Sequence, residues 1–210
     1  MSSQTPILWS FRRCPYAMRA RLALASADIP VEHREILLRD KPAAFLAASP
    51  KGTVPVVVAG DLVIEESLDV MLWALNQNDP EKWLDVPSDT YDLIAQVEGP
   101  FKDALDRYKY ASRIENSDPN VDRANGSEFL LNIDAMLSGQ SCLAGADYRL
   151  TDMAILPFVR QFAHVDLDWF NTQPWPDLSR WLADFKASDR FQSIMVKHPL
   201  WTPERQPFDD

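Results

Sequence analysis

The stretch FRRCPYAMRARL, residues 11–22, holds the residues best suited to chemistry, because Cys14 stands directly before Pro15 with arginines on both sides. Before it, the short apolar run PILWSF at residues 6–11 is typical of a buried strand. After it, residues 16–28 are rich in helix formers, and proline is favoured at a first helical position. Cys14 is therefore predicted at a helix N-terminus, where free N–H groups and the helix dipole favour a thiolate over a thiol.

The alternative for Cys14 is the role of most lone cysteines, a small buried hydrophobe. The strand–Cys–Pro–helix context favours the reactive interpretation, and Arg12 and Arg13 would strengthen it if they turn inward. Ala17 stands where many redox enzymes carry a second cysteine, so any mixed disulfide must be resolved by a thiol from solution. Cys142 has no comparable setting and is interpreted as a buried side chain.

Composition limits the classes of function. With 31 acidic and 21 basic residues the net charge is −10, so neither nucleic acid nor an anionic membrane surface is an expected partner. The sequence has no apolar run of the roughly 18–20 residues that a transmembrane helix needs, and its start does not resemble a signal peptide. We expect a cytoplasmic protein with reduced thiols, and the three unclustered histidines predict no metal site.

The pattern of elements predicts two domains. Residues 1–78 indicate the order β-α-β-α-β-β-α, including a hairpin that turns at Ala59-Gly60-Asp61. Residues 79–88, with two prolines and several charges, are typical of a linker. Residues 89–210 are predicted to be all-helical, with a break or bend around Gly99-Pro100.

Four motifs in this order resemble the glutathione transferase family. They are CPYA at residues 14–17, Lys41-Pro42 opening the second helix, GTVPVVV at residues 52–58, and EES at residues 65–67. The resemblance implies a thioredoxin-like N-terminal domain followed by an all-α domain, and it is greatest to cysteine-type, omega-like bacterial members. It also implies a homodimer in which the first domain of one subunit packs on the second domain of the other.

The resemblance assigns glutathione-binding roles. Val54-Pro55 would be a cis-proline turn, with the Val54 backbone pairing with the cysteinyl part of glutathione. The Ser67 hydroxyl and N–H would hold the γ-glutamyl carboxylate, Glu66 would meet its ammonium group, and Lys41 the glycyl carboxylate. Each of these residues also has a purely structural interpretation. Pro55 would be a trans proline at a strand start, Glu66 and Ser67 an ordinary helix cap and first turn, and Lys41 a solubilising surface charge.

By the same resemblance, the second substrate would lie in a cleft between the domains. Trp9 or Phe11 would form one wall, and Tyr108 and Tyr110 the other. For the two tyrosines a place in the core or at a dimer interface is the slightly favoured interpretation, because aromatic residues on helices are more often buried.

The implied activity is that of a glutathione-dependent thiol transferase or reductase. Cys14 would form a mixed disulfide with glutathione and thereby reduce small disulfides, dehydroascorbate-like oxidants or glutathione conjugates. One alternative is a conjugating enzyme that uses the hydroxyl of Ser10 or Tyr16. Another is a non-catalytic, glutathione-transferase-like interaction or regulatory protein, because fold does not fix function.

The sequence departs from the family pattern near Asp152. A Ser or Thr cap is usual three residues before this aspartate, but Arg149 occupies the position here and cannot accept the capping hydrogen bond. We expect Thr151 to cap a shifted helix start, and Asp152 to be structural.

Overall fold

The structure is a computed structural model that describes residues 4–115 and 117–203 of the 210-residue chain. The chain divides into two compact units. The first unit combines the N-terminal residues through Glu81 with the segment that begins at Asp189. The second unit is Lys82–Ser188.

The first unit is built on a mixed sheet. In the residues described, four strands pair in the order β2-β1-β3-β4, with β1 parallel to β2 and antiparallel to β3. The elements up to Glu81 are β1 (Ile7–Ser10), α1 (Pro15–Ser26), β2 (Glu32–Glu35), α2 (Ala43–Ala48), β3 (Val56–Ala59), β4 (Leu62–Ile64) and α3 (Ser67–Leu75). This order confirms the predicted thioredoxin-like domain.

The hairpin between β3 and β4 turns where the sequence predicts. Gly60 has φ +62°, a left-handed conformation that glycine adopts without the steric cost of a Cβ. Ala59 and Leu62 pair on either side of the turn. The hairpin fixes the register of β3, which carries the segment after Pro55 into the middle of the sheet.

Large apolar side chains close the sheet against α1 and α2. A buried cluster joins Trp9 of β1 to Phe45 of α2, with ring centroids 5.5 Å apart. Its other buried members are Ala17, Ile36, Val54 and Val56. Because Cys14 packs against this cluster, the apolar core itself supports the start of α1.

The C-terminal segment belongs to the first unit, in contrast to the predicted boundary that assigned residues 89–210 to the helical domain. Long-range hydrogen bonds hold it there: Arg21 Nε donates to the Ile194 carbonyl at 3.0 Å, and the Trp201 N–H donates to the Glu35 carbonyl at 2.9 Å. The Arg34 guanidinium lies 4.9 Å from the ring centroid of Trp9 and 5.1 Å from that of Trp201. The segment includes α10 (Asp189–Ile194).

The second unit consists of helices and turns throughout the part that the structure describes. Its helices are α4 (Thr90–Gln96), α5 (Lys102–Lys109), α6 (Pro119–Leu137), α7 (Leu150–Ala163), α8 (Leu167–Asn171) and α9 (Pro176–Ala187), with a π-turn at Val97–Phe101 and a 3₁₀ turn at Ala111–Arg113. The predicted bend is confirmed, because Gly99 has non-helical angles (φ −98°, ψ −105°) directly before Pro100.

Asp152 anchors the start of α7. One carboxylate oxygen accepts from the Leu143 N–H and the Trp181 indole, at 2.9 and 3.0 Å, and the other accepts from the Arg149 N–H at 3.0 Å. Asp152, in the first turn of α7, therefore stabilises the helix start by accepting these three hydrogen bonds. The expected cap by Thr151 is wrong: the helix begins at Leu150, and the Thr151 hydroxyl bonds to another side chain.

Candidate active site

Cys14 occupies the position that the sequence predicts. It is the N-cap of α1 with extended backbone angles (φ −73°, ψ 124°), and Pro15 is the first helical residue. The residue is half-buried, so part of its surface is accessible. The first-turn N–H groups of α1 and the helix dipole favour negative charge at this end of the helix.

The sulfur of Cys14 lies beside the loop that precedes β3. Its thiol donates to the Val54 carbonyl oxygen at 3.7 Å, and the Val54-Pro55 peptide bond is cis, as the resemblance implies. A thiol and a backbone carbonyl from positions 40 residues apart thus meet where the central strand β1 ends and the central strand β3 begins.

Ser67 begins α3 and is almost fully buried, with 3% of its surface exposed. Its hydroxyl oxygen accepts from Arg19 Nη1 of α1 at 3.3 Å. Because the guanidinium uses an oxygen lone pair, the hydroxyl hydrogen remains to be donated in another direction. The arrangement adds a buried cation to a helix N-terminus that already favours anions.

Glu66, the N-cap of α3, is exposed and forms an ion pair with Lys51. The hydrogen bond to Glu66 raises the pKa of the Lys51 ammonium. Lys41 is also exposed, and it lies over the loop before Val54: a Cβ added at Gly52 would be 3.4 Å from Lys41 Nζ. Lys41 and Lys51 therefore place two cationic side chains near this loop.

The four aromatic residues predicted as cleft walls have different surroundings. Trp9 is 1% exposed and belongs to the core of the first unit, so as a wall residue it is wrong. Phe11 is half-buried next to the same core. Tyr108 is 8% exposed and packs on Phe162, within the second unit, whereas Tyr110 is 37% exposed.

The two alternative hydroxyl groups are not equivalent. Ser10 is fully buried, and its hydroxyl oxygen accepts from Arg21 Nη1 at 2.5 Å. Tyr16 is half-buried, with the Arg19 guanidinium 5.7 Å from its ring centroid. The burial of Ser10 removes it as a group that could contact a substrate.

Cys142 provides an internal contrast to Cys14. It is 4% exposed, and burial raises the pKa of its thiol to about 12. Because the thiolate is the reactive form, Cys142 is inert at neutral pH.

The described residues contain neither a candidate metal centre nor a candidate membrane-spanning helix. Among residues 4–115 and 117–203, no group of three or more His, Cys, Asp or Glu side chains is arranged to hold a metal ion. Across the same residues, no helix combines the length and the apolar character needed to span a membrane.

Comparison with known proteins shows what the chain is similar to. Residues 8–83 match the family model described as Glutathione S-transferase, N-terminal domain. A glutathione transferase family member from Pseudomonas fluorescens pf-5, solved with two glutathione bound, has the same fold: its TM-score is 0.78 at 16% identity, over 90% of this chain and 92% of that chain. Residues 8–83 are thus similar to the N-terminal domain of glutathione S-transferases, and the chain shares its overall fold with this solved structure.

Two curated relatives are similar to this chain in sequence. Glutathione S-transferase DHAR2 of Arabidopsis thaliana is 33% identical over 88 residues, which is 42% of this chain and only 41% of that relative's length. Glutathione S-transferase omega-1 of Mus musculus is 29% identical over 183 residues, 84% of this chain and 74% of the relative.

Sequence reasoning missed three charged residues near the site. Arg21 follows Cys14 by seven positions, a two-turn spacing that places both on one face of a helix, so its involvement could have been predicted. Glu35 accepts from the Arg12 N–H at 2.6 Å, and Lys51 pairs with Glu66. Neither of these contacts has a local sequence signal, because each joins segments distant in the chain.

Proposed function

We propose that the protein is a glutathione-dependent thiol transferase or reductase of the cysteine type, related to omega-like enzymes, with Cys14 as its nucleophile. The observation that carries this proposal is the position of the half-buried Cys14 at the start of α1, with its sulfur 3.7 Å from the Val54 carbonyl oxygen. Family comparison supports glutathione-dependent transfer or reduction in general.

The reaction has two thiol–disulfide exchanges. The Cys14 thiolate attacks the glutathione sulfur of a mixed disulfide, forms Cys14–S–S–glutathione, and expels the other half as a thiolate that takes a proton from water. A free glutathione thiolate then attacks the glutathione sulfur of this adduct. Oxidised glutathione leaves, the Cys14 thiolate is restored, and the substrate disulfide has gained two electrons.

Glutathione binding is assigned to the first unit. The γ-glutamyl carboxylate is received at the N-terminus of α3 by the N–H and hydroxyl of Ser67, with buried Arg19 behind that hydroxyl. Glu66 receives the ammonium group, a role that its pairing with the Lys51 ammonium supports. The backbone of Val54 receives the cysteinyl part, and Lys41 the glycyl carboxylate.

The hydroxyl-based conjugating alternative is weaker. Ser10 is enclosed and already bonded to Arg21, and a Cys14 thiolate would repel the thiolate of bound glutathione. Small disulfides, dehydroascorbate-like oxidants and glutathione conjugates remain the proposed substrates. We also propose a cytoplasmic location, where the thiol is kept reduced, and a homodimer.

The decisive experiment compares wild type, Cys14→Ala and the matched control Cys142→Ala in glutathione-dependent reduction of a small glutathione mixed disulfide. Intact mass is then measured after exposure to oxidised glutathione. We expect activity and one glutathione adduct in wild type and Cys142→Ala, and neither in Cys14→Ala. Wild type that has no activity and forms no adduct would refute the proposal and turn attention to protein partners.

A further inference from the structure

Arg21 is a buried cation that contacts the segment leading to Cys14. It lies on α1 with 6% of its surface exposed. Its Nη1 donates to the Ser10 hydroxyl at 2.5 Å and approaches the Phe11 carbonyl oxygen at 3.4 Å, while Nη2 donates to the Arg12 carbonyl at 2.6 Å. One guanidinium therefore satisfies oxygen acceptors on three successive residues.

The same acceptors fix the backbone of Cys14. The Cys14 N–H donates to the Phe11 carbonyl at 3.0 Å, so Cys14 and Arg21 share one oxygen atom. On the other side of the turn, the Arg12 N–H donates to Glu35 Oε1 at 2.6 Å. Buried charged side chains thus hold both faces of the turn that delivers Cys14 to the start of α1.

The fourth donor of Arg21 reaches the C-terminal segment. Its Nε donates to the Ile194 carbonyl at 3.0 Å, and this carbonyl lies at the last residue of α10. The four acceptors of Arg21 are therefore carbonyl and hydroxyl oxygens without formal charge. A buried guanidinium that is held this way has its hydrogen bonds satisfied while its charge still requires compensation.

Burial lowers the pKa of Arg21 to about 10, opposed by attraction to Glu35 and to the Cys14 sulfur. Glu35 also bonds to His33, which stacks on His198 of the C-terminal segment with centroids 3.9 Å apart. These groups and Arg12, from the turn, are the charged or titratable neighbours of Arg21. Ionisation of Cys14 adds a negative charge to this cluster.

We propose that Arg21 is a positioning residue for Cys14: it holds the turn that carries the nucleophile and supplies the positive charge that favours the Cys14 thiolate. The proposal rests on the proposed function only for the use of that thiolate in turnover. The role differs from a purely structural one, because removing the charge should change the ionisation of a thiol that Arg21 does not touch directly.

The test measures the rate of alkylation of Cys14 by iodoacetamide as a function of pH, in a Cys142→Ala background with a single thiol. We expect Arg21→Met to raise the thiol pKa by about one unit, which slows alkylation about tenfold at pH values below the pKa. Arg190→Met is the matched control. It removes a guanidinium from the same unit, one that pairs with Glu81, and should leave the pKa unchanged.

A folded Arg21→Met protein with the wild-type thiol pKa would overturn the proposal, as would an equal shift in Arg190→Met. If Arg21→Met does not fold, Arg21→Lys decides. It keeps the cation but lacks the forked donors, so the thiol pKa should stay within about half a unit while kcat falls and KM holds. An unchanged kcat, or a pKa shift of one unit or more, would contradict the assignment.

Alkylation requires no glutathione, and this separates the two proposals. A wild-type protein that is inactive toward mixed disulfides would refute the proposed function. The thiol pKa of the Arg21 variants would still confirm or overturn the role of Arg21.

Discussion

Replacing Gly126 with alanine should destabilise the second unit, although alanine is ordinarily the better helix former. Gly126 lies inside α6, and a Cβ at this position would be 2.5 Å from Cε2 of Phe162. Carbon atoms in contact prefer separations of about 3.5–4.0 Å, so the ring must move by about 1 Å. Phe162 is 1% exposed and packs against Phe101, Tyr108 and Trp169, which limits that movement.

The magnitude follows from two opposing effects. Overpacking a well-packed core costs about 1–3 kcal/mol, and the enclosed ring of Phe162 places this site in the upper half of that range. Substituting alanine for glycine in a helix interior returns about 1 kcal/mol. We therefore expect Gly126→Ala to lower the free energy of unfolding by about 1–2 kcal/mol.

The assay is urea denaturation followed by circular dichroism. Asn125→Ala is the matched control, because this neighbouring position on α6 is exposed. At position 125 only helix propensity should contribute, so Asn125→Ala should raise the free energy of unfolding by about 0.5 kcal/mol. In a Phe162→Leu background the cost of Gly126→Ala should shrink, since the clashing atoms are gone. If Gly126→Ala matches or exceeds wild type in stability, and shows no coupling to Phe162, the packing argument is refuted.

Three further predictions concern the ion pair at Glu66, the pH dependence of stability and the start of α7. Lys51→Met should lower the KM for glutathione by up to a few-fold in steady-state kinetics, because the exposed Lys51 ammonium competes with the glutathione ammonium group for Glu66. The effect is small because exposed ion pairs are worth about 0–1 kcal/mol. A raised KM would contradict this prediction. Burial, and to a smaller extent the charge of His33, lowers the pKa of His198, so the unfolded state binds more protons and the free energy of unfolding falls as the pH drops below about 6.5. The urea midpoint should therefore change less between pH 7 and pH 5 in His198→Gln than in wild type. An equal change in both proteins would contradict this prediction. Asp152→Asn should lower the free energy of unfolding by about 2 kcal/mol, because the amide keeps one accepting oxygen and its NH₂ group would face an N–H donor. A thermal melting temperature equal to that of wild type would show that the carboxylate is dispensable.

The sequence was informative where local rules decide structure. A proline after Cys14 favours a helix start there regardless of tertiary context, and Gly60 marks a turn that requires positive φ. The cis bond before Pro55 came from the family resemblance, since the local chain favours trans. The 3.7 Å distance between the Cys14 sulfur and the Val54 carbonyl oxygen shows that two of the four motifs lie together in the fold.

Other features depend on contacts between distant segments. Trp9 lies on a strand whose last three residues are all buried, so alternation could not show which side chain faces solvent. The C-terminal segment returns to the first unit through contacts such as Arg21 with Ile194 and Trp201 with Glu35. No local pattern in residues 189–203 distinguishes this packing from packing on the preceding helices.

The placement of the C-terminal segment has a consequence for how the protein is made. The first unit is discontinuous, and residues 82–188 are synthesised between its two parts. At about 5–20 residues per second, this interval takes about 5–20 s on the ribosome. The Ile194 carbonyl that receives Arg21 is synthesised only after all of residues 82–188. A nascent chain therefore displays Cys14 before its turn is fully held, and a prematurely terminated chain ending at residue 188 never completes it.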